Sequence, residues 1–418
     1  MRLYAPLVRV LHFKSDYSTS YTIQVELISA IAFQKITFST LQRLDWSPIL
    51  NHAGIVHLLS PSLKMVQIHE ARVNSALLRT FTALAVDLFM GGLATNCPNL
   101  NALVMGQAFD LTPNAASAIL ALQHLQILVV PVMGERALDV IVPLATQRAL
   151  VKLNVKINCQ EINALEVMPI VFDGLQFMAI AGATTVVTQV LLTVSCPHLR
   201  NLHIDTSDHP TDVIGCPTLI QAVASCAGPG LTRLTATASF RQFTGNLSTL
   251  DPLWKFRRLE LLDLRMGSFY PTDDQFIQTF LHWPSIQGVV LSKSKYPPFP
   301  PNQLPPISLT LKAILKVANL CPDLEHLCVP LDASAVPVEV VQSVARRRNG
   351  ISLWPSSFSP IDDPQAVALY LNDYGHVVTV VPNSRGEFQE KWQKVTELLG
   401  VLNAARVRTK RLRADNGS

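Results

Sequence analysis

Leu125-Gln-Ile-Leu128-Val-Val130, Leu150-Val-Lys-Leu153-Asn-Val155, Leu175-Gln-Phe-Met178-Ala-Ile180 and Leu199-Arg-Asn-Leu202-His-Ile204 share one pattern, L-x-x-L-x-L, and begin 25, 25 and 24 residues apart. The same pattern extends outward in both directions. Toward the N-terminus it reads Leu100-Asn-Ala-Leu103-Val-Met105, Leu63-Lys-Met-Val66-Gln-Ile68, Leu41-Gln-Arg-Leu44-Asp-Trp46 and Val8-Arg-Val-Leu11-His-Phe13. Toward the C-terminus it reads Leu231-Thr-Arg-Leu234-Thr-Ala236, Leu259-Glu-Leu-Leu262-Asp-Leu264, Ile286-Gln-Gly-Val289-Val-Leu291 and Leu324-Glu-His-Leu327-Cys-Val329. One match carries no weight in an apolar chain, but twelve copies whose central spacings cluster near 25 residues are an internal repeat.

The last two apolar positions alternate with period two, so both face the core of a short strand, and the first enters that core from the preceding turn. Parallel strands need long crossovers, which helices supply. Thr112-Pro113 is expected to cap and open one helix, and Thr272-x-x-Gln275 is a capping box before another. Ile307–Leu320 carries apolar Leu311, Ile314, Leu315 and Val317 at helical spacing, and Pro337–Arg348 is expected to form a further helix. The spacing therefore predicts an α/β leucine-rich-repeat solenoid, a horseshoe with short parallel strands on its concave face and helices on its convex face.

This organises the chain into an array at 1–355 with a proline-rich insertion at 296–307, C-terminal capping helices at 356–405, and a basic disordered tail at 406–418. The cap includes a short helix opened by Asp363-Pro364 and one opened by Ser384-x-x-Glu387 that carries Phe388, Trp392, Val395, Leu399 and Leu402 on one face. The N-terminus supplies no comparable cap. Gly174–Cys196 has no charged residue, yet the repeat accounts for it as strand, turn and helix, not as a membrane span.

The 418 residues are 49% apolar and 15% charged with a net charge of +4, which excludes a disordered chain and calls for no nucleic-acid partner. Seven cysteines, an odd number without a CxxC pair, and the absence of a secretory pattern point to reduced thiols in a cytoplasmic or nuclear protein. No G-x-S-x-G elbow, P-loop, G-x-G-x-x-G or H-E-x-x-H occurs, so no enzyme, catalytic residue or cofactor is expected. Gly91-Gly92 reads as a helix end. His203, Asp205, Asp208, His209 and Asp212 could ligate a divalent ion, but a polar turn after a strand explains them more simply, and no metal is expected.

Partner contacts are expected from side chains that alternate away from the core: Arg43 and Asp45; Lys152, Asn154 and Lys156; Asn201, His203 and Asp205; Arg233; Asp263 and Arg265. Ala102, Val104, Ile127, Val129, Phe177 and Ala179 occupy equivalent positions and form an apolar stretch where a wet surface would not collect one.

Three repeats open with C-P-x-L: Cys97-Pro-Asn-Leu100, Cys196-Pro-His-Leu199 and Cys321-Pro-Asp-Leu324. This signature resembles the repeats of F-box/leucine-rich-repeat proteins, in a layout similar to the divergent fungal, basidiomycete-like group. Tyr4-Ala-Pro-Leu-Val-Arg-Val-Leu11, Ser359-Pro-Ile-Asp-Asp-Pro364 and the Trp392 helix add to the likeness. The resemblance implies the substrate-recognition part of an adaptor of a cullin ubiquitin ligase, binding an unknown protein and touching neither nucleic acid nor membrane. In that family an F-box of about forty residues precedes the repeats and holds a Skp-type adaptor. Met1 stands where the linker after it would be, so the resemblance carries over the repeat region alone, and a Skp-type adaptor is expected only with an F-box upstream. The alternative is a stand-alone interaction scaffold with no ligase role.

Overall fold

The C-P-x-L element is a tight turn. In the computed structural model, the N–H of Leu100 donates to the carbonyl of Cys97, and that of Leu324 to the carbonyl of Cys321, each at 3.1 Å. Proline at the second position of such a turn has its φ preset. The same closure recurs without cysteine at Phe38–Leu41, Ser60–Leu63, Leu122–Leu125, Gln147–Leu150, Phe256–Leu259 and Trp283–Ile286. The residue that opens the turn is buried in every case. Its chemistry varies because any group of suitable bulk fits if its donors are satisfied. Gln147 Nε2 donates to the carbonyl of Ile119 at 3.0 Å, and Trp283 Nε1 to that of Leu253 at 3.3 Å.

The structure describes residues 7–13, 30–31, 33, 38–46, 53–69, 83–106, 112–132, 137–157, 159, 170–206, 215–238, 244–266, 268–291, 306–339, 350–356, 358–374, 378–382 and 388–415. The chain divides into two compact units, Met1–Leu199 and Arg200–Ser418. The first unit contains β1 (Val10–Phe13), β2 (Arg43–Trp46), β3 (Met65–Ile68), β4 (Ala102–Met105), β5 (Ile127–Val132), β6 (Lys152–Ile157) and β8 (Phe177–Ala181), all parallel and adjacent in chain order. A separate parallel pair joins β7 (Ile170–Val171) to β9 (Val194–Ser195). The crossovers carry the 3-10 segment Ala53–Leu58 and the helices Ala83–Asn96, Pro113–Leu120 and Ala137–Leu144, and Thr184–Thr193 follows β8.

The second unit repeats the plan with β10 (Asn201–Thr206), β11 (Arg233–Ala238), β13 (Leu261–Met266), β15 (Gly288–Val290), β16 (His326–Val329), β17 (Ile351–Pro355) and β18 (Val378–Val380). A short pair joins β12 (Thr244–Gly245) to β14 (Ser268–Phe269). Its crossovers carry Cys216–Cys226, the 3-10 segment Leu247–Lys255, Asp273–Phe280, Leu311–Leu320 and Pro364–Asp373.

Register follows the motif. Leu44, Val66, Leu103, Leu128, Leu153 and Met178 are successive partners in one unit, and Leu202, Leu234, Leu262, Val289, Leu327 and Leu353 in the other. All are 2% exposed or less, as are the apolar residues that close the turns from Leu41 to Leu324. One backbone device repeats where strands begin. The carbonyl of the motif's second residue accepts the N–H groups of the second and third residues of the next copy, as Gln126 does from Val151 and Lys152, both at 2.9 Å. In the second unit Thr232 accepts from Glu260 at 2.7 Å and Leu261 at 3.1 Å.

Each of the twelve motif copies lands on a strand, and the two capping signals are present as read. Thr112 Oγ1 accepts from the Ala115 N–H, and Thr272 and Gln275 form the reciprocal box. Gly174–Cys196 is strand, turn and helix, and among the described residues no helix is long and apolar enough to cross a membrane.

Some expectations need correction. Gly91-Gly92 lies inside the Ala83–Asn96 helix and does not end it. Gly92 lies so close to the 3-10 segment and the residue after it that a Cβ there would be 3.5 Å from Val56 Cγ1 and 3.3 Å from Leu59 Cδ1. The Leu311–Leu320 helix begins four residues later than the periodicity suggested; Thr310 before it is extended, with its N–H and hydroxyl both donating to the Asp273 carboxylate at 2.7 Å. The segment expected to hold only capping helices also contributes β18. The basic stretch expected as a disordered tail is helical through Asp415, since Gln389–Asp415 is one continuous helix. The proline-rich stretch up to 305, residues 340–348 of the helix expected at Pro337–Arg348, and Ser384–Glu387 lie outside the described residues, and Pro337–Glu339 are not helical.

That last helix closes the second unit. Trp392 Nε1 donates to the Ser359 carbonyl at 2.9 Å, Lys391 Nζ to that of Ile361 at 2.8 Å, and Thr396 Oγ1 to that of Val380 at 3.0 Å. Trp392, Val395 and Leu399 are buried, whereas Leu402 is half-buried.

Candidate partner-binding face

Strand residues that alternate away from the core form rows across each sheet. Neighbouring strands lie about 4.8 Å apart, so register partners in a row are neighbours. In the first unit one row runs Arg43, Met65, Ala102, Ile127, Lys152, Phe177, and the next Asp45, Gln67, Val104, Val129, Asn154, Ala179. Lys156 stands beside Ala181 in a third.

Arg43 and Asp45 form a local ion pair, with Nε at 2.9 Å from Oδ1. The hydrogen bond to Asp45, followed by its charge, holds the Arg43 guanidinium above its ordinary value. Asp45 Oδ2 also meets His12 Nδ1 of β1 at 2.5 Å. The motif places His12 at the same outward position as Asp45, but the contact itself depends on the pairing of β1 with β2. Lys152, Asn154 and Lys156 lie four strands away, roughly 19 Å from the Arg43 row position. The structure therefore does not bring the two first-unit groups together. Lys152 Nζ rests 4.6 Å from the centre of the Phe177 ring.

In the second unit the candidates do converge. Asn201 pairs with Arg233, and His203, Thr235 and Asp263 form one row. Asp205, Thr237 and Arg265 form the next. Arg265 grips Asp263 with two bonds, Nε to Oδ1 at 3.0 Å and Nη2 to Oδ2 at 3.1 Å. Such a fork orients both groups and leaves donor edges of the guanidinium for a partner. His203 and Arg233 are exposed. Sequence reasoning missed Trp354, which is 44% exposed beside Cys328 on the same side of β17.

The arrangement offers hydrogen bonding, charge pairing and apolar contact. His203 and Asp205 share a side of β10, but Asp208, His209 and Asp212 lie outside the described residues. Among the described residues no group of three or more His, Cys, Asp or Glu side chains could hold a metal ion. Five of the seven cysteines are buried. Burial pushes Cys97 up to about 11 and Cys216 up to about 12, which suppresses the nucleophilic thiolate. No known family model matches the chain, and no curated protein matches it either.

Proposed function

We propose that the chain is a leucine-rich-repeat scaffold that binds another protein through the outward face of its sheets, and that it is the substrate-recognition part of an F-box-type adaptor of a cullin ubiquitin ligase. The observation that carries the scaffold reading is the twelvefold coincidence of L-x-x-L-x-L with parallel strands in one register. Such a sheet keeps a fixed core and leaves its other side free to diverge. The ligase reading rests on C-P-x-L, whose turn geometry is now explicit, together with the likeness of the two ends of the chain.

The test is affinity capture with the full chain against Arg233→Glu/Arg265→Glu, which reverses charge in the converged rows. The reading expects a defined protein captured by the parent and lost by the variant, a co-purifying Skp-type adaptor, and a longer half-life of the captured protein when this chain is deleted. An unchanged half-life with no adaptor removes the ligase role. A capture profile identical for parent and variant removes the second-unit face.

A further inference from the structure

We propose that the first-unit face docks an extended segment of a partner protein in which an aspartate or glutamate lies two and four residues from apolar ones. The proposal rests on the protein-binding reading above and deepens it.

The apolar half of the site crosses β3, β4 and β5. Met65, Val104, Ile127 and Val129 are half-buried on the outward side, and Ala102, the register partner of Met65 and Ile127, is 6% exposed. The small side chain leaves a shallow dip between two longer ones. Apolar outward residues on three adjacent strands, with Gln67 the one polar residue among them, are unusual for a sheet side that faces water.

The polar half is basic. Along these rows Asp45 is the only carboxylate among the described residues, and it is buried, paired with Arg43 and in contact with His12 Nδ1. It offers nothing to a cationic partner. Lys152 adjoins Ile127 in the same row, with its ammonium over the Phe177 ring, and Lys156 follows four residues later. Charge complementarity therefore selects an acidic partner over a basic one. Geometry fixes the spacing. Met65 to Lys152 is three strand spacings, roughly 14 Å, and residues i and i+4 of an extended chain are roughly 13 Å apart. Apolar side chains at i and i+2 over the dip bring a carboxylate at i+4 to the ammonium.

The probe is a random peptide library displayed on phage and selected on the full chain. The expected result is enrichment of peptides that combine apolar residues with Asp or Glu. Their affinity falls about tenfold or more with Lys152→Glu, less with Lys152→Gln, and again with Ile127→Ser. Far-UV circular dichroism and the urea midpoint of each variant must match the parent for its loss of binding to count, and Lys152→Gln keeps the aliphatic stem over Phe177. Enriched peptides without an acidic excess overturn the proposal. So does binding that ignores Lys152→Glu but is lost in Arg233→Glu/Arg265→Glu; there the protein-binding reading survives and only this inference falls. Enrichment no greater than on uncoated matrix removes both. Binding to phosphatidylserine vesicles that Lys152→Glu abolishes assigns the face to a lipid surface and also overturns it.

Discussion

Leu153→Ala tests the register at the centre of the first unit. Leu153 is 0% exposed and sits between Leu128 and Met178, each also 0% exposed. Truncation removes three carbons, a transfer loss of about 2.4 kcal/mol at roughly 0.8 kcal/mol per methylene. The backbone on either side is held by parallel ladders, so the gap collapses little. A residual cavity of roughly 50 Å³ adds about 1 kcal/mol. The expected destabilisation is about 3–4 kcal/mol, near the centre of the range for buried leucines. Val151→Ala, two residues earlier and 36% exposed, is expected to cost under about 1 kcal/mol. The assay is urea unfolding followed by far-UV circular dichroism, read as the midpoint of the earliest transition. With a slope of about 3 kcal/mol per molar urea, Leu153→Ala lowers that midpoint by roughly 1 M. A loss no larger than that of Val151→Ala would refute the placement of the motif's fourth residue in the core.

Other outcomes follow from single sites. Gly174→Ala should lower Tm sharply, because a Cβ there would lie 2.5 Å from the Arg148 carbonyl oxygen, whereas Gly91→Ala, with nothing within 4 Å, should raise it. Thr272→Ala removes the oxygen that accepts from Gln275 N–H and should cost about 1 kcal/mol by thermal melt. A disulfide-exchange reagent at pH 8 should spare Cys97 and Cys216 until the chain unfolds. The Cys216 thiol is raised from 9.0 to about 12, so its contribution to stability is whole below pH 9 and is lost as pH climbs toward 12. Melts of Cys216→Ala between pH 9 and 11 should therefore show a shallower decline than the parent; an equal decline assigns the alkaline loss to other groups.

The strands were legible because their period-two pattern and the preceding leucine are local properties. β17 and β18 escaped for a shared reason. In Gly350-x-x-Leu353-x-Pro355 and Val377-x-x-Val380-x-Pro382, proline occupies the motif's last apolar position. Proline lacks the N–H a ladder uses, so it reads as the end of a strand, yet it fits here at the strand terminus or just beyond it. The caps were legible because a hydroxyl and its N3 partner are three residues apart. The identity of the outward rows followed from alternation, but their grouping did not. Asp45 meets His12 across 33 residues of sequence, and the convergence of Asn201, Arg233 and Asp263 depends on two crossovers of unequal length.

The shared carbonyl where strands begin has an evolutionary consequence. Because the motif's second residue locks two successive amides of the next copy, the starting margin of the sheet is pinned wherever that device recurs. Copy lengths from 22 to 38 residues are then absorbed beyond the strands, away from that margin. A mutation that lengthens a connection need not shift the next strand's phase or turn its core residues outward. The fold can accept insertions and deletions as raw material for new recognition while keeping its alignment.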